Sequence, residues 1–171
     1  MQIILVRHAI AVERKPGLDD TARPLCERGL RRFTRSVRGL DMLGVRLDHV
    51  FHSPWLRALQ TAELLAPINR GTSEGTALLA DDPGDDVIAL ARRFSDKQCI
   101  AFVGHEPWMG ELLSLLLLGT AHHADAMPFK KGGIAWIEGK PLPGKMVLHG
   151  MFPPKSLRRL GENGTTVPPV S

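Results

Sequence analysis

Two histidines, His8 and His105, and two arginines, Arg7 and Arg57, carry the chemistry that this sequence offers. Arg7-His8 follows directly on the apolar run Ile3-Ile4-Leu5-Val6. A guanidinium gives planar, paired donors to phosphoryl oxygens, and a neutral imidazole is a competent nucleophile toward phosphorus. The adjacent positive charge also disfavours the imidazolium, so His8 is expected to be unprotonated near neutral pH. Arg57 comes just after Ser53-Pro54, with Pro54 read as a helix start where its missing N–H costs nothing. An arginine in a first helical turn opposes the helix dipole unless a negative ligand or side chain compensates. Phe102-Val103-Gly104-His105-Glu106-Pro107 repeats the pattern of apolar run followed by histidine, with Gly104 allowing close approach to the backbone. One such pair is a weak signal, because a histidine held by backbone at a loop start would look the same. Two histidines and two arginines at neighbouring strand ends are not explained by core filling.

The elements that must position these groups are legible from pattern. Strand composition marks Ile3 to Val6, His49 to Ser53, Ile100 to Val103, Ile134 to Ile137 and Met146 to Leu148. Helical patterns cover Glu27 to Leu43, Leu56 to Leu65, Asp86 to Phe94 and Trp108 to Leu118. Strands alternating with helices predict an α/β fold, a three-layer αβα sandwich with a mostly parallel central sheet. In such sheets ligands sit outside the carboxyl ends of the strands, where Arg7-His8, Ser53-Pro54 and Gly104-His105 fall. The length of 171 residues suits one domain, expected over 1–160, with 161–171 as a flexible tail lacking periodicity.

Three motifs, Leu5-Val6-Arg7-His8-Ala9, Ser53-Pro54-Trp55-Leu56-Arg57-Ala58-Leu59-Gln60-Thr61-Ala62-Glu63 and Val103-Gly104-His105-Glu106-Pro107, resemble those of the histidine phosphatase superfamily in order and spacing. The short chain and the segment Asp20-Thr21-Ala22-Arg23-Pro24-Leu25-Cys26-Glu27-Arg28-Gly29 resemble its SixA-type phosphohistidine phosphatases. The resemblance implies a phosphatase without metal or cofactor, in which His8 is the nucleophile and Arg7, Arg57 and His105 surround the phosphoryl group. The implied substrate is phosphohistidine, on a protein such as a phosphotransfer domain, hydrolysed through a covalent phosphohistidine. The alternatives are a phosphatase of small-molecule phosphate esters and a phosphate-recognition module without turnover. Two departures stand out: Ala9 replaces a frequent Gly, and Cys26 a more usual Thr. No general acid is assigned; Asp81 and Asp82 are candidates by position, whereas Asp85 and Asp86 read as helix-capping carboxylates after a turn. A missing acid favours phosphohistidine, because an imidazole can leave already protonated whereas an alkoxide needs a donor.

The remaining composition sets bounds. A net charge of +4 suits an anionic ligand and does not call for nucleic acid. Arg28, Arg31, Arg32, Arg35 and Arg38 fall on one helical stripe opposite Leu30, Phe33, Val37 and Leu40, which reads first as a solvated face and second as a docking surface for an acidic partner. Arg23 and the turn Lys130-Lys131-Gly132-Gly133 are placed near the pocket but outside the catalytic set. His122-His123 reads as a surface loop without a metal partner set. Cys26 and Cys99 have no paired or metal spacing, and no signal-peptide or bilayer-length apolar run is present, so a cytoplasmic, reduced protein without a membrane anchor is expected.

Overall fold

Ile3, Ile4, Leu5 and Val6 have no solvent exposure at all, because the strand they form is covered on both faces. The computed structural model describes residues 1–82 and 84–163. Alternation along β1 (Gln2–Arg7) sends Ile4 and Val6 to one side and Ile3 and Leu5 to the other. On the first side they meet Phe33, Val37 and Leu40 of α1 (Glu27–Met42), Ala58 and Ala62 of α2 (Leu56–Glu63) and Leu157 of α5 (Pro154–Asn163). On the second they meet Val87, Ile88 and Ala91 of α3 (Asp86–Arg93), and Met109, Leu112, Leu113 and Leu116 of α4 (Trp108–Leu118). Helices therefore cover both faces, giving the expected three-layer αβα sandwich.

The sheet has six strands in the order β3-β2-β4-β1-β5-β6, with β2 (Leu47–His52), β3 (Asn69–Gly75), β4 (Cys99–Gly104), β5 (Ile134–Gly139) and β6 (Met146–Phe152). The first four strands are mutually parallel, β5 pairs antiparallel with β1, and β6 pairs antiparallel with β5 and so runs in the direction of the first four. Register aligns the strand ends that matter: Arg7 lies opposite Gly104, and His52 opposite Val103. His8, Ser53 and His105 consequently emerge side by side at one edge of the sheet.

Several details differ from the sequence reading. β3 carries polar, mostly exposed residues that gave no strand signal; as an edge strand it is held by backbone pairing to β2 rather than by burial. α5 runs through Asn163, past position 161 where the tail was expected to begin, and packs Leu157 into the core; residues 164–171 lie outside the described ones. Leu30, read as core-facing, is 36% exposed, while Gly29, Ser36 and Gly39 lie on the buried side of α1. Pro54 precedes the helix by two residues and Trp55 takes the N-cap position. Asp85 sits at the N-cap of α3 but its side chain makes no capping bond. His122 and His123 are exposed, in a short 3-10 segment over Ala121–Ala126. No helix among the described residues is long and apolar enough to cross a membrane.

Candidate active site

The carboxyl ends of β1, β2 and β4 frame a cavity of about 400 Å³ walled by Arg7, His8, Arg57 and His105 together with Trp55 and Trp108. All four residues singled out from the sequence thus line one space. His8 is 5% exposed and its ring is fixed by backbone: Nδ1 lies 2.7 Å from the Ala9 carbonyl, which can only accept, so Nδ1 carries the proton. Nε2 is left with its lone pair, and Arg57 Nε donates to it at 3.3 Å. Burial pushes the His8 imidazole down to about 3, with the His105, Arg57 and Arg7 charges adding to the effect. Desolvation rather than the neighbouring arginine is thus the main reason that this ring is neutral.

Arg57 does have the compensating negative group that its helical position demands. Its Nη2 contacts Asp20 Oδ2 at 3.1 Å and its Nη1 donates to the Asp20 carbonyl at 2.6 Å. Asp20 Oδ1 also accepts from the Nε of Arg14 and of Arg23, each at 2.7 Å. One carboxylate therefore holds three guanidiniums together at the cavity wall, and the arginine hydrogen bonds, that of Arg14 first, hold its pKa well below the usual carboxylate range. Trp55 closes the other side, with the Arg57 guanidinium 4.4 Å from its ring centroid and the His105 ring at 4.5 Å. Thr61, fully buried, ties α2 to the His8 loop: its hydroxyl donates to the Arg57 carbonyl at 2.6 Å and accepts from the Ala9 N–H at 3.0 Å.

His105 lies with its ring 5.1 Å from that of His8, and burial pushes it down to about 4. Its Nε2 is 2.9 Å from Ser53 Oγ. Ser53 has no solvent exposure, and its oxygen also accepts the Trp55 N–H at 3.3 Å. The hydroxyl proton has one remaining outlet, the lone pair of His105 Nε2, so Ser53 selects the tautomer with the proton on Nδ1. That Nδ1 is buried and has no partner among the described residues. Arg7 Nε and Trp108 Nε1 share this condition. All three of these residues line the cavity.

The sequence reading placed Gly104 for close backbone approach; what approaches it is the indole of Trp108, which a Cβ there would strike. Arg23 and Lys131, left outside the candidate set, both line the cavity, and the Gly132 N–H reaches the carbonyls of Arg7 and His8, each at 3.0 Å. Asp81 and Asp82 stand exposed at its mouth, and Asp82 Oδ1 accepts the Gly84 N–H at 3.0 Å. Sequence reasoning missed the parts of Asp20, Ser53 and Trp108. Only Ser53, a hydroxyl residue at a strand end, offered a local signal.

The fold is shared with solved structures of several phosphatases. Among solved structures, the chain is similar to a protein histidine phosphatase SixA complexed with tungstate, at 24% identity over 92% of this chain and 99% of that one, with a TM-score of 0.78. It is similar also to an alpha-ribazole phosphatase from Shigella flexneri (18% identity, 88% and 96% covered, TM-score 0.70) and to a mutant phosphoserine phosphatase from Entamoeba histolytica in complex with phosphoserine (14%, 91% and 98%, TM-score 0.69). No protein-family model matches the chain. The chain belongs to one family with an uncharacterised protein of Picosynechococcus sp., to which it is 32% identical over 139 residues, 78% of this chain and 82% of that protein.

Proposed function

We propose that this protein is a metal-independent, SixA-like phosphatase that hydrolyses phosphohistidine on a protein through a covalent phosphohistidine on His8. The observation that carries this reading is the His8 Nε2 lone pair, left free of the proton by the Nδ1 bond to Ala9, in a cavity that Arg7, Arg57 and His105 also line. In the first step a P–N bond forms at His8 Nε2 as the P–N bond to the substrate imidazole breaks. The Arg57 Nε–H resting on the lone pair is then free for a phosphoryl oxygen, and Arg7 and His105 take the charge on the others. In the second step water displaces His8 and releases orthophosphate. The cationic side chains and N–H donors do the electrostatic work, so the mechanism requires no metal or cofactor. One structural neighbour is complexed with tungstate and another with phosphoserine, which supports an oxyanion ligand for this protein.

Phosphatase action on small esters is the second reading, and Asp81 at the mouth is the observation that favours it, because a leaving alkoxide needs a proton donor. Rapid mixing with ³²P-labelled phosphohistidine and with a labelled phosphate ester, followed by an acid-free quench, decides among them. Acid-labile label on His8 and phosphate release are expected from phosphohistidine, both abolished in His8→Ala, with Asp81→Asn without effect. Faster turnover of the ester, lost in Asp81→Asn, would establish the second reading instead. Binding without label or release would make the protein a phosphate-recognition module.

A further inference from the structure

α1 is locked against the loop that carries His8. A Cβ at Gly29 would strike the Ile10 carbonyl, the Cys26 N–H donates to that carbonyl at 3.0 Å, and Ala11 bridges to Leu25. α5 is locked against α1 in the same way, since a Cβ at Gly39 would strike the Leu157 carbonyl and one at Gly161 the Arg35 carbonyl. These contacts hold a set of cations in fixed relation to His8. Arg28, Arg32 and Arg158 line two grooves beside the cavity, and Lys131 belongs to the walls of all three spaces. Arg14 and Arg23 are shared by the cavity and the groove that holds Arg28.

Local acids neutralise this track only in part: Glu13 lines the groove that holds Arg28, and Glu162 acts on Arg158. Glu27 is paired with Arg31, Glu162 with Arg35, and Asp20 with the inner arginines. Arg28 and Arg32 form no ion pair with the described residues, and Arg158 loses some of its affinity for a proton through burial and then through the nearby Arg32. Like charges assembled on a rigid surface repel one another, and an anionic partner removes that cost. A merely solvated arginine face would have no reason to be continuous with the cavity through Lys131.

We propose that these grooves form a docking track for an acidic segment of the phosphorylated protein substrate, flanking the phosphohistidine that enters the cavity. The proposal rests on the phosphatase reading above. A protein is favoured over nucleic acid because neither groove presents an exposed aromatic side chain among the described residues on which bases could stack; Phe33 is buried against the core.

Two synthetic peptides test it, each with one phosphohistidine, one flanked by glutamates and the other by glutamines. The wild-type protein should show a KM about 10-fold lower for the glutamate peptide, and the preference should fade with added salt. In the double variant Arg28→Glu with Arg32→Glu, that advantage should vanish while kcat and the glutamine peptide are unaffected. Equal KM for both peptides in the wild type would overturn the docking track and leave the phosphatase reading standing. Turnover of neither peptide would overturn both. A single-stranded oligonucleotide that blocks the wild type and spares the double variant, without any glutamate preference, would assign the face to nucleic acid and refute the proposal.

Discussion

Replacing Ser53 by alanine removes one hydroxyl from the buried wall between β2 and β4, and its effect on His105 follows from hydrogen-bond accounting. With Ser53 present, the tautomer carrying its proton on Nε2 would strand the serine proton in a site without solvent exposure. Stranding a buried donor costs about 1–3 kcal/mol, which at about 1.4 kcal/mol per decade makes the Nδ1–H tautomer roughly 5- to 150-fold more populated. In Ser53→Ala that bias is gone, and the imidazole that should donate to a phosphoryl oxygen presents a lone pair in a large share of molecules. The expected result is a fall in kcat of about 10-fold, smaller than the about 100- to 1000-fold that removal of a whole oxyanion donor by His105→Ala should cause. ¹⁵N spectra of the labelled histidines distinguish the tautomers directly, and steady-state kinetics on a phosphohistidine peptide measure the consequence. A wild-type spectrum with the proton on Nε2 of His105, or a Ser53→Ala enzyme with undiminished kcat, would refute the reasoning.

Because His8 and His105 are held near 3 and 4, kcat/KM should stay flat from pH 7 to about 5, whereas an acid limb centred at 6.5 would mean that the nucleophile is solvated. Between about pH 6.5 and 4 the unfolded chain binds more protons at these rings than the folded one, so urea denaturation should show stability falling as pH drops through that window and no contribution from them above it. Asp20→Asn should leave Arg14, Arg23 and Arg57 repelling one another and lower kcat/KM by about 10-fold, measured alongside a reduced melting temperature. Cys26 caps α1 through a weak sulfur acceptor, 3.4 Å from the Gly29 N–H, so Cys26→Ser should stabilise the protein by about 0.5–1 kcal/mol in urea titration.

What the sequence revealed and what it hid divide along physical lines. β1 and β4 were legible because burial on both faces demands an unbroken apolar run, and Trp108–Leu118 because its residues follow a helical pattern. That His8 and His105 line one cavity was legible because each directly follows an apolar run that reads as a strand. β3 was hidden because an edge strand needs only one partner and no apolar side chains, and α5 because its amphipathic pattern sits on the short, basic segment PKSLRRLGEN. Asp20 was hidden for a different reason: it lies in a loop, and nothing local says that Arg57, 37 positions away, will close on it. Charge pairs made by tertiary folding leave no periodicity behind.

The strict alternation along β1 has an evolutionary corollary. Ile3 and Leu5 serve one core and Ile4 and Val6 the other, and Arg7 and His8 take their bearings from the same alternation. Apolar residues of similar volume could replace one another there with modest penalties. Adding or deleting a single residue would exchange the two cores and turn His8 away from the cavity at one stroke. In a lineage of such proteins, the composition of this strand is free to drift, while the count of residues ahead of the histidine is what descent must preserve.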